Sequence, residues 1–328
     1  MTHKVGVIAG DGIGPEIVAA ALDVVRATGA DVDVRDFDLG ADRFVRDGHV
    51  LDDDDLAALR ECDAILKGPL GPPIGSAAVP PGTIERGIIL RLRFALDLYV
   101  NLRPFTSAGV DFVVVRENTE GSYGGEGGFL YKGTDREVAT QGSVNTRSGV
   151  ERCVRFAFEL AQSRPRRHLT LVHKTNVLTF AGDLWQRTFD AVAAEFPDVA
   201  TAYNHVDASC IYLVEDAARY DVIVTDNLFG DILTDLAGAV TGGVGFAASA
   251  NLNPSRTGPS LFEPVHGSAH DIAGSGRANP VSAVRSAAMM LEFLGEPEAA
   301  ARITKAVGDP GSLSGTTAEI GTQISERV

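Results

Sequence analysis

Asp231 and Asp235 stand four residues apart in TDNLFGDILTD, residues 225 to 235. In a helix that spacing puts both carboxylates on one face. Like charges so placed destabilise an isolated helix. A hard divalent cation between them removes the conflict, and oxygen donors of this kind suit magnesium or manganese. A solvated acidic face has the same spacing, and on this stretch alone the two readings stand level.

Other residues carry chemistry only in company. Arg93 and Arg103 flank LDLYVN, and Arg116 closes an apolar run at residues 113 to 115. Three guanidinium forks suit bidentate binding of carboxylates; each is also an ordinary partner for a structural ion pair, Arg116 with the adjacent Glu117 for instance. Lys174, in HKTN, follows an apolar run at residues 169 to 172. It is either a general base, if desolvated or near other cations, or an exposed surface lysine. Tyr123 sits among Gly121, Gly124 and Gly125, where a phenol can act as an acid. Asp207, in HVDAS, is a third candidate carboxylate or a cap. FEPVHGSAHDIAG, residues 262 to 274, reads as a loop against a flat ligand, with Asp271 able to accept from two ribose hydroxyls and to repel a 2′-phosphate. GDGIGPE, residues 10 to 16, lacks the third glycine of the dinucleotide fingerprint, and the glycine pairs at 124 to 128 have no strand-to-helix context.

These groups need a scaffold. Short apolar runs at residues 5 to 9, 32 to 37, 64 to 66, 112 to 115, 169 to 172 and 222 to 224 read as strands. Helical stretches lie between most of them: from about Pro15, over 52 to 60, 149 to 162 and 182 to 196, and beyond the capping types Asp226 and Asn227. The alternation predicts an α/β fold with a largely parallel sheet. Arg93 is expected on a helix and Arg103 beyond a turn at Asn101. Residues 236 to 255 carry no charge, but their glycines, asparagines and proline predict a buried helix followed by loops, not a membrane span. Residues 122 to 146 read as an extended hairpin arm.

The chain has 328 residues, enough for one large or two medium domains. Its net charge of −15 argues against a nucleic-acid or anionic-membrane partner. Three scattered cysteines and no leader pattern predict a cytoplasmic protein without a disulfide framework.

Taken in order, GDGIGPE, LRFALDLYVNLRP, VVRENTEGSY, VHKTNVLTFAGDLW, VDA, DVIVTDNLFGDILTDLA, FEPVHGSAHDIAG and NPVSAVRSAAMMLEFLG span nearly the whole chain. It resembles the β-decarboxylating dehydrogenases of 3-substituted malates, the isocitrate/isopropylmalate dehydrogenase family. LTLVHKTNVLTFAG and TDNLFGDILTDLAGAVTGG are most similar to the isopropylmalate branch of high-GC Gram-positive bacteria.

The resemblance implies a two-lobed α/β fold that is not the Rossmann fold. One lobe, residues 1–98 and 243–328, would lie on the cofactor side. The other, 99–242, would dimerise and carry metal and substrate, with the arm at about 122–146. The implied reaction is NAD-dependent oxidative decarboxylation, of 3-isopropylmalate to 4-methyl-2-oxopentanoate and CO2, as in leucine biosynthesis. Arg93, Arg103 and Arg116 would hold the malate carboxylates. Asp231 and Asp235 would bind Mg2+ or Mn2+, with Asp207 and the base Lys174 supplied across a homodimer. Tyr123 would protonate the enolate. His266, Gly267, Asp271, Ile272 and Asn279 would line the NAD site. Ile88, Ile89 and Leu90, just before Arg93, favour an alkyl substituent, unless Ile89 and Leu90 are simply core; Arg86 and Arg91 keep a charged one open. ILKGPLGPP and RENTEG are closer to the isocitrate pattern, and His270 stands where proline is usual. Isocitrate, homoisocitrate, tartrate or a phosphonate analogue in a specialised pathway are therefore the alternative substrates. A non-catalytic subunit is the reading from another class, and the intact set Tyr123, Lys174, Asp207, Asp231 and Asp235 speaks against it.

Overall fold

Aliphatic runs become strands because their side chains leave water on both faces. In chain order the strands are β1 (His3–Ile8), β2 (Val32–Asp36), β3 (Ala64–Lys67), β4 (Val100–Ser107), β5 (Val110–Glu117), β6 (Gly127–Leu130), β7 (Val138–Gln141), β8 (His168–His173), β9 (Ala200–His205), β10 (Val222–Thr225), β11 (Ala248–Leu252) and β12 (Ser260–Pro264). The computed structural model describes residues 2–328. It divides into two units, Met1–Leu98 with Gly243–Val328, and Tyr99–Gly242.

In the first unit the order is β2-β1-β3-β12-β11. All neighbours are parallel except β11, which runs antiparallel to β12. Helix Gly14–Ala27 starts with Pro15 in its first turn and buries Ile17, Val18, Ala21, Val24 and Val25. Helix Thr317–Ser325, opened by a capping box of Thr316 and Glu319, lies so close that a Cβ at Gly321 would come within 3.0 Å of Ala20. Ile8, Leu59, Ile65, Ile84, Ile88 and Leu98 belong to one hydrophobic core cluster.

In the second unit the order is β4-β5-β10-β8-β9. β5, β10, β8 and β9 are parallel and β4 is antiparallel to β5. Helix Arg147–Ser163, capped by Thr146, buries Val150, Val154, Ala157 and Phe158. β6 and β7 form a two-stranded antiparallel ribbon, exposed along its length. That is the expected hairpin arm, and the mixed, mainly parallel α/β architecture is also as expected. Among the described residues no helix is long and apolar enough to cross a membrane.

Three local expectations need correction. Asn101 is not in a turn: it is the buried second residue of β4, and Arg103 lies on the same strand. β4 was hidden because Asn101, Arg103 and Pro104 break its apolar pattern. β9 escaped for the same reason, its sequence ATAYNH being half polar. The stretch after helix Asn227–Val240 is not all loop, since β11 is a fully buried strand of small residues.

GDGIGPE has a clear mechanical task. The Asp11 carboxylate, 1% exposed, accepts from the backbone N–H groups of Ala41 (2.9 Å), Asp42 (3.1 Å) and Gly71 (2.8 Å). One side chain therefore ties together the loops that follow β1, β2 and β3. Gly40 carries no Cβ because one there would lie 2.5 Å from Asp11 Oδ1. Asp11→Ala leaves three donors without their acceptor, at about 1–3 kcal/mol for each that stays buried. We expect a loss of about 3 kcal/mol or more, read as a lower urea midpoint at unchanged slope; a loss below about 1 kcal/mol would refute this role.

Candidate active site

Helix Asn227–Val240 begins where β10 ends. Asp226 caps it, its carboxylate accepting from Phe229 N at 2.8 Å. The next turn faces Arg116 at the end of β5. Arg116 is 1% exposed and cannot draw on water. Its Nε donates to Asn227 O (2.8 Å) and Oδ1 (3.2 Å), Nη2 donates to Asn227 Oδ1 (2.8 Å), and Nη1 donates to Asp231 Oδ1 (2.5 Å). Arg116 thus pairs with Asp231, not with Glu117. Glu117 instead accepts from Thr119 N, Thr119 Oγ1 and Glu120 N. Gly230 makes the approach possible, since a Cβ there would fall 2.4 Å from Arg116 Cγ.

Tyr123 and Arg103 complete the cluster. Tyr123, in a short 3-10 turn at Ser122–Gly124, donates its hydroxyl to Asp231 Oδ2 at 2.9 Å, and its ring lies 5.2 Å from the Arg116 guanidinium. Arg103 Nη1 donates to Thr234 Oγ1 at 2.5 Å. Its guanidinium reaches Asp231 at 4.0 Å and Asp235 at 3.8 Å, too long for hydrogen bonds. Asp235 is the more exposed carboxylate, yet desolvation by the surrounding protein raises its pKa above the usual aspartate value. Arg103 and Arg116 pull it down, and Asp231 adds to the rise.

Lys174 follows β8 and Asp207 follows β9. Lys174 Nζ donates to Asp207 Oδ1 at 2.7 Å, and that bond holds the Asp207 carboxyl below the usual range. Asp207, Asp231 and Asp235 do not form a three-ligand group in the single chain. Among the described residues the group of three close candidate ligands is His49, Asp52 and Asp55. There Asp52 caps helix Asp53–Arg60, and His49 Nε2 lies 2.8 Å from Asp55 Oδ2.

In the first unit Arg93 lies on a short helix, Arg91–Ala95, that continues a π-helical segment, Glu85–Leu90. Ile88 is buried in the core, whereas Ile89 and Leu90 are half-buried. Ile89 and Arg93 line one small cleft with Lys67 and Glu263. Lys67 Nζ lies 2.6 Å from Glu263 Oε2, and Asn251 Nδ2 donates to Glu263 Oε1 at 2.7 Å. Burial alone would raise Glu263; Lys67, Arg93 and these hydrogen bonds outweigh it and bring the carboxyl down to about 2. The pair is not legible in the sequence, because Lys67 ends one strand and Glu263 sits in another, 196 positions later.

The loop after β12 carries the remaining candidates. His266, its Nδ1 3.1 Å from Gly267 O, is pushed below the usual histidine value by burial. Gly267 and Asp271 are exposed, and Ile272 is half-buried. Ser268 and His270 both bond Gly71 O, at 3.1 and 2.8 Å. Asn279 Oδ1 accepts from Val281 N at 2.9 Å, at the start of helix Val281–Phe293.

Residues 4–325 match the model of a family described as isocitrate/isopropylmalate dehydrogenase. The chain is 58% identical to the 3-isopropylmalate dehydrogenase of Corynebacterium aurimucosum over 99% of this chain and 98% of that one. It is 57% identical to the enzyme of the same name from Beutenbergia cavernae, over 100% and 99%. Among solved structures, isocitrate dehydrogenase from Methylococcus capsulatus superposes with a TM-score of 0.90 at 41% identity, covering 99% of each chain. A β-decarboxylating dehydrogenase from Thermococcus kodakarensis gives 0.82 at 36% identity, covering 99% of this chain and 96% of that one.

The Glu263 pair sets a pH dependence. Its folded pKa, about 2, lies below the ordinary 4.5, so its stabilisation is complete above about pH 4.5 and is lost as pH falls towards 2. Glu263→Gln leaves the Lys67 ammonium buried without its counter-charge, at about 3–5 kcal/mol. In urea titrations the variant should be less stable by that order at pH 7, and the gap should narrow towards pH 3. A gap independent of pH would contradict the assignment.

Proposed function

The chain belongs to the isocitrate/isopropylmalate dehydrogenase family, and from that premise we propose that it catalyses NAD-dependent oxidative decarboxylation of 3-isopropylmalate to 4-methyl-2-oxopentanoate and CO2. The observation that carries the reaction is one helical face. Asp231 and Asp235 stand there beside Arg103, Arg116 and the Tyr123 hydroxyl. The substrate rests on the full-length relatives named for it and on Ile89 and Leu90 beside Arg93.

The donor set fits a hard divalent cation. It is all oxygen, and Asp235 meets Arg103 only at 3.8 Å, so its charge is weakly compensated. Asp231 and Asp235 would hold Mg2+ or Mn2+, with Asp207 of the partner subunit and substrate oxygens filling the sphere. His266, Gly267, Asp271, Ile272 and Asn279 would line the NAD site, where an exposed Asp271 carboxylate suits a ribose diol and repels a 2′-phosphate. When bound, the ion polarises the developing carbonyl and enolate oxygen, and the nicotinamide accepts the hydride.

The chain's own groups supply the rest. Arg93, Arg103 and Arg116 neutralise and orient the malate carboxylates; Arg116 keeps a second hydrogen on each terminal nitrogen after its bonds to Asn227 and Asp231. Lys174, as its neutral amine, would take the C2 hydroxyl proton, and the ammonium so formed would be the species that Asp207 accepts from at 2.7 Å. After CO2 leaves, Tyr123 delivers a proton to C3, and Asp231 Oδ2 orients its hydroxyl until then.

A homodimer belongs to the same reading. The second unit exposes Phe129, Leu130 and Tyr131 on the arm, Ile211 and Val214 on helix Val206–Asp216, and Leu228 and Ile232 on helix Asn227–Val240. An isolated two-stranded ribbon is marginally stable in water, so the arm needs a cover.

The same chemistry on isocitrate is the second reading. It is favoured by the superposition on an isocitrate dehydrogenase and by the ILKGPLG stretch. Purified protein given NAD or NADP, Mg2+ or Mn2+ and a panel of malates separates them. We expect kcat/KM for 3-isopropylmalate to exceed that for isocitrate by at least 100-fold with NAD, and Asp231→Asn to abolish turnover. The reverse preference would establish the second reading. Light scattering should give a dimer, and Ile211→Asp with Val214→Asp should yield an inactive monomer; an active monomer would refute the shared site.

A further inference from the structure

Lys174 is the first residue beyond β8, so the ladder that fixes β8 does not by itself fix the turn that carries the amine. The turn closes on itself through Val177 N and Leu178 N, which donate to Lys174 O at 3.1 and 2.8 Å. Its outward anchor is Tyr203, on the neighbouring strand β9, whose register with β8 sets Leu171 opposite Tyr203 and His173 opposite His205. The Tyr203 hydroxyl accepts from Thr175 N at 3.1 Å and lies 2.9 Å from Thr175 Oγ1. It is also 3.3 Å from His173 O and 2.7 Å from His205 Nδ1. One oxygen therefore contacts the residues on both sides of Lys174.

A phenol has one hydrogen and two acceptor sites. With Thr175 N–H as a donor, the phenol hydrogen goes to an acceptor: His205 Nδ1 at 2.7 Å, in the tautomer protonated at Nε2, is nearer than His173 O at 3.3 Å. The rings of Tyr203 and His205 meet edge to face at 5.1 Å, which holds the phenol in this orientation. From the other side Thr175 is seated against helix Thr179–Ala193, where a Cβ at Gly182 would come within 2.6 Å of Thr175 Cα. Tyr203, His205 and Asp207 are alternate residues of one segment, and Asp207 takes the tip of the same lysine at 2.7 Å. The segment thus grips Lys174 at its backbone and at its ammonium.

We propose that Tyr203, oriented by His205, is a positioning residue for the reaction: it sets the reach of the Lys174 amine. This rests on the reading of Lys174 as the base. A base displaced by about 1 Å loses on the order of 100-fold in rate without weakening substrate binding.

The test uses the full chain under the assay conditions above. Tyr203→Phe keeps the ring and removes the anchor. We expect kcat to fall tenfold or more, with KM for the malate and for Mn2+ within twofold. His205→Leu, which removes only the acceptor that orients the phenol, should move kcat in the same direction by a smaller factor. It also supplies the answer if Tyr203→Phe does not fold. His205→Gln, which keeps an acceptor, should stay within about twofold of wild type. An unchanged kcat in Tyr203→Phe or, should that not fold, in His205→Leu, or a rise in KM that matches the fall in kcat, would overturn the proposal. Lys174→Met separates it from its premise. Loss of activity there with normal Tyr203→Phe turnover refutes the positioning role alone. Wild-type turnover in Lys174→Met removes the base assignment and the proposal with it.

Discussion

The bond between Arg116 and Asp231 governs the second unit. A guanidinium that is 1% exposed has lost its hydration and must be repaid inside the protein. The partners are the two ends of one helical turn, Asn227 and Asp231. Because the fork is planar and rigid, satisfying both fixes the rotation of helix Asn227–Val240 about its own axis. The face that carries Asp231 then also carries Asp235, and Tyr123 and Arg103 meet it where they do. The motif's residue types follow from this single constraint: Asp226 to cap, Asn227 to accept twice, Gly230 to leave room, Asp231 to neutralise.

The first unit holds a second buried ion pair of different character. Lys67 and Glu263 face one another at 2.6 Å, and Asn251 satisfies the other carboxylate oxygen. That network is closed. The Arg116 network is open at one end, where Asp235 reaches no hydrogen-bond partner in Arg103 and remains exposed. A closed buried pair can set shape and pKa. An open one leaves charge for something to bind, and under the proposed function that is what Asp235 offers.

The legible parts of the sequence were those in which one pressure acted alone. β1, β3, β8 and β10 are aliphatic because they are covered on both faces, and their runs read directly as strands. β4 and β9 also carry polar residues that bond to other elements, Arg103 and Tyr203 among them, and there the two pressures conflict within six to eight residues. The candidate site was legible in order but not in pairing. Spacing brought Asp231 and Asp235 to one face, but it did not connect Arg116 to a helix 111 residues later, nor Asp11 to Gly71. Those are long-range contacts, and one sequence holds no record of them beyond the residue types.

Under the proposed function, substrate choice follows from what Lys67 is already doing. Beside Ile89 and Arg93 the cleft contains a buried ammonium, which by composition alone would welcome a negatively charged substituent. Its charge is engaged by Glu263, whose carboxyl is held near 2 and stays ionised throughout the neutral range. A carboxylate arriving beside Ile89 would meet apolar surface, a lysine already paired with Glu263, and Arg93, which the proposed mechanism commits to the malate carboxylates; left without a partner of its own it would be costly to bury. An alkyl group there loses only water. The discrimination is therefore asymmetric: alkyl against carboxyl is decided by charge, whereas one alkyl against another differs by a methylene or two, about 1–3 kcal/mol. A site built this way would discriminate against a third carboxylate more than it would sort isopropyl from its neighbours in size.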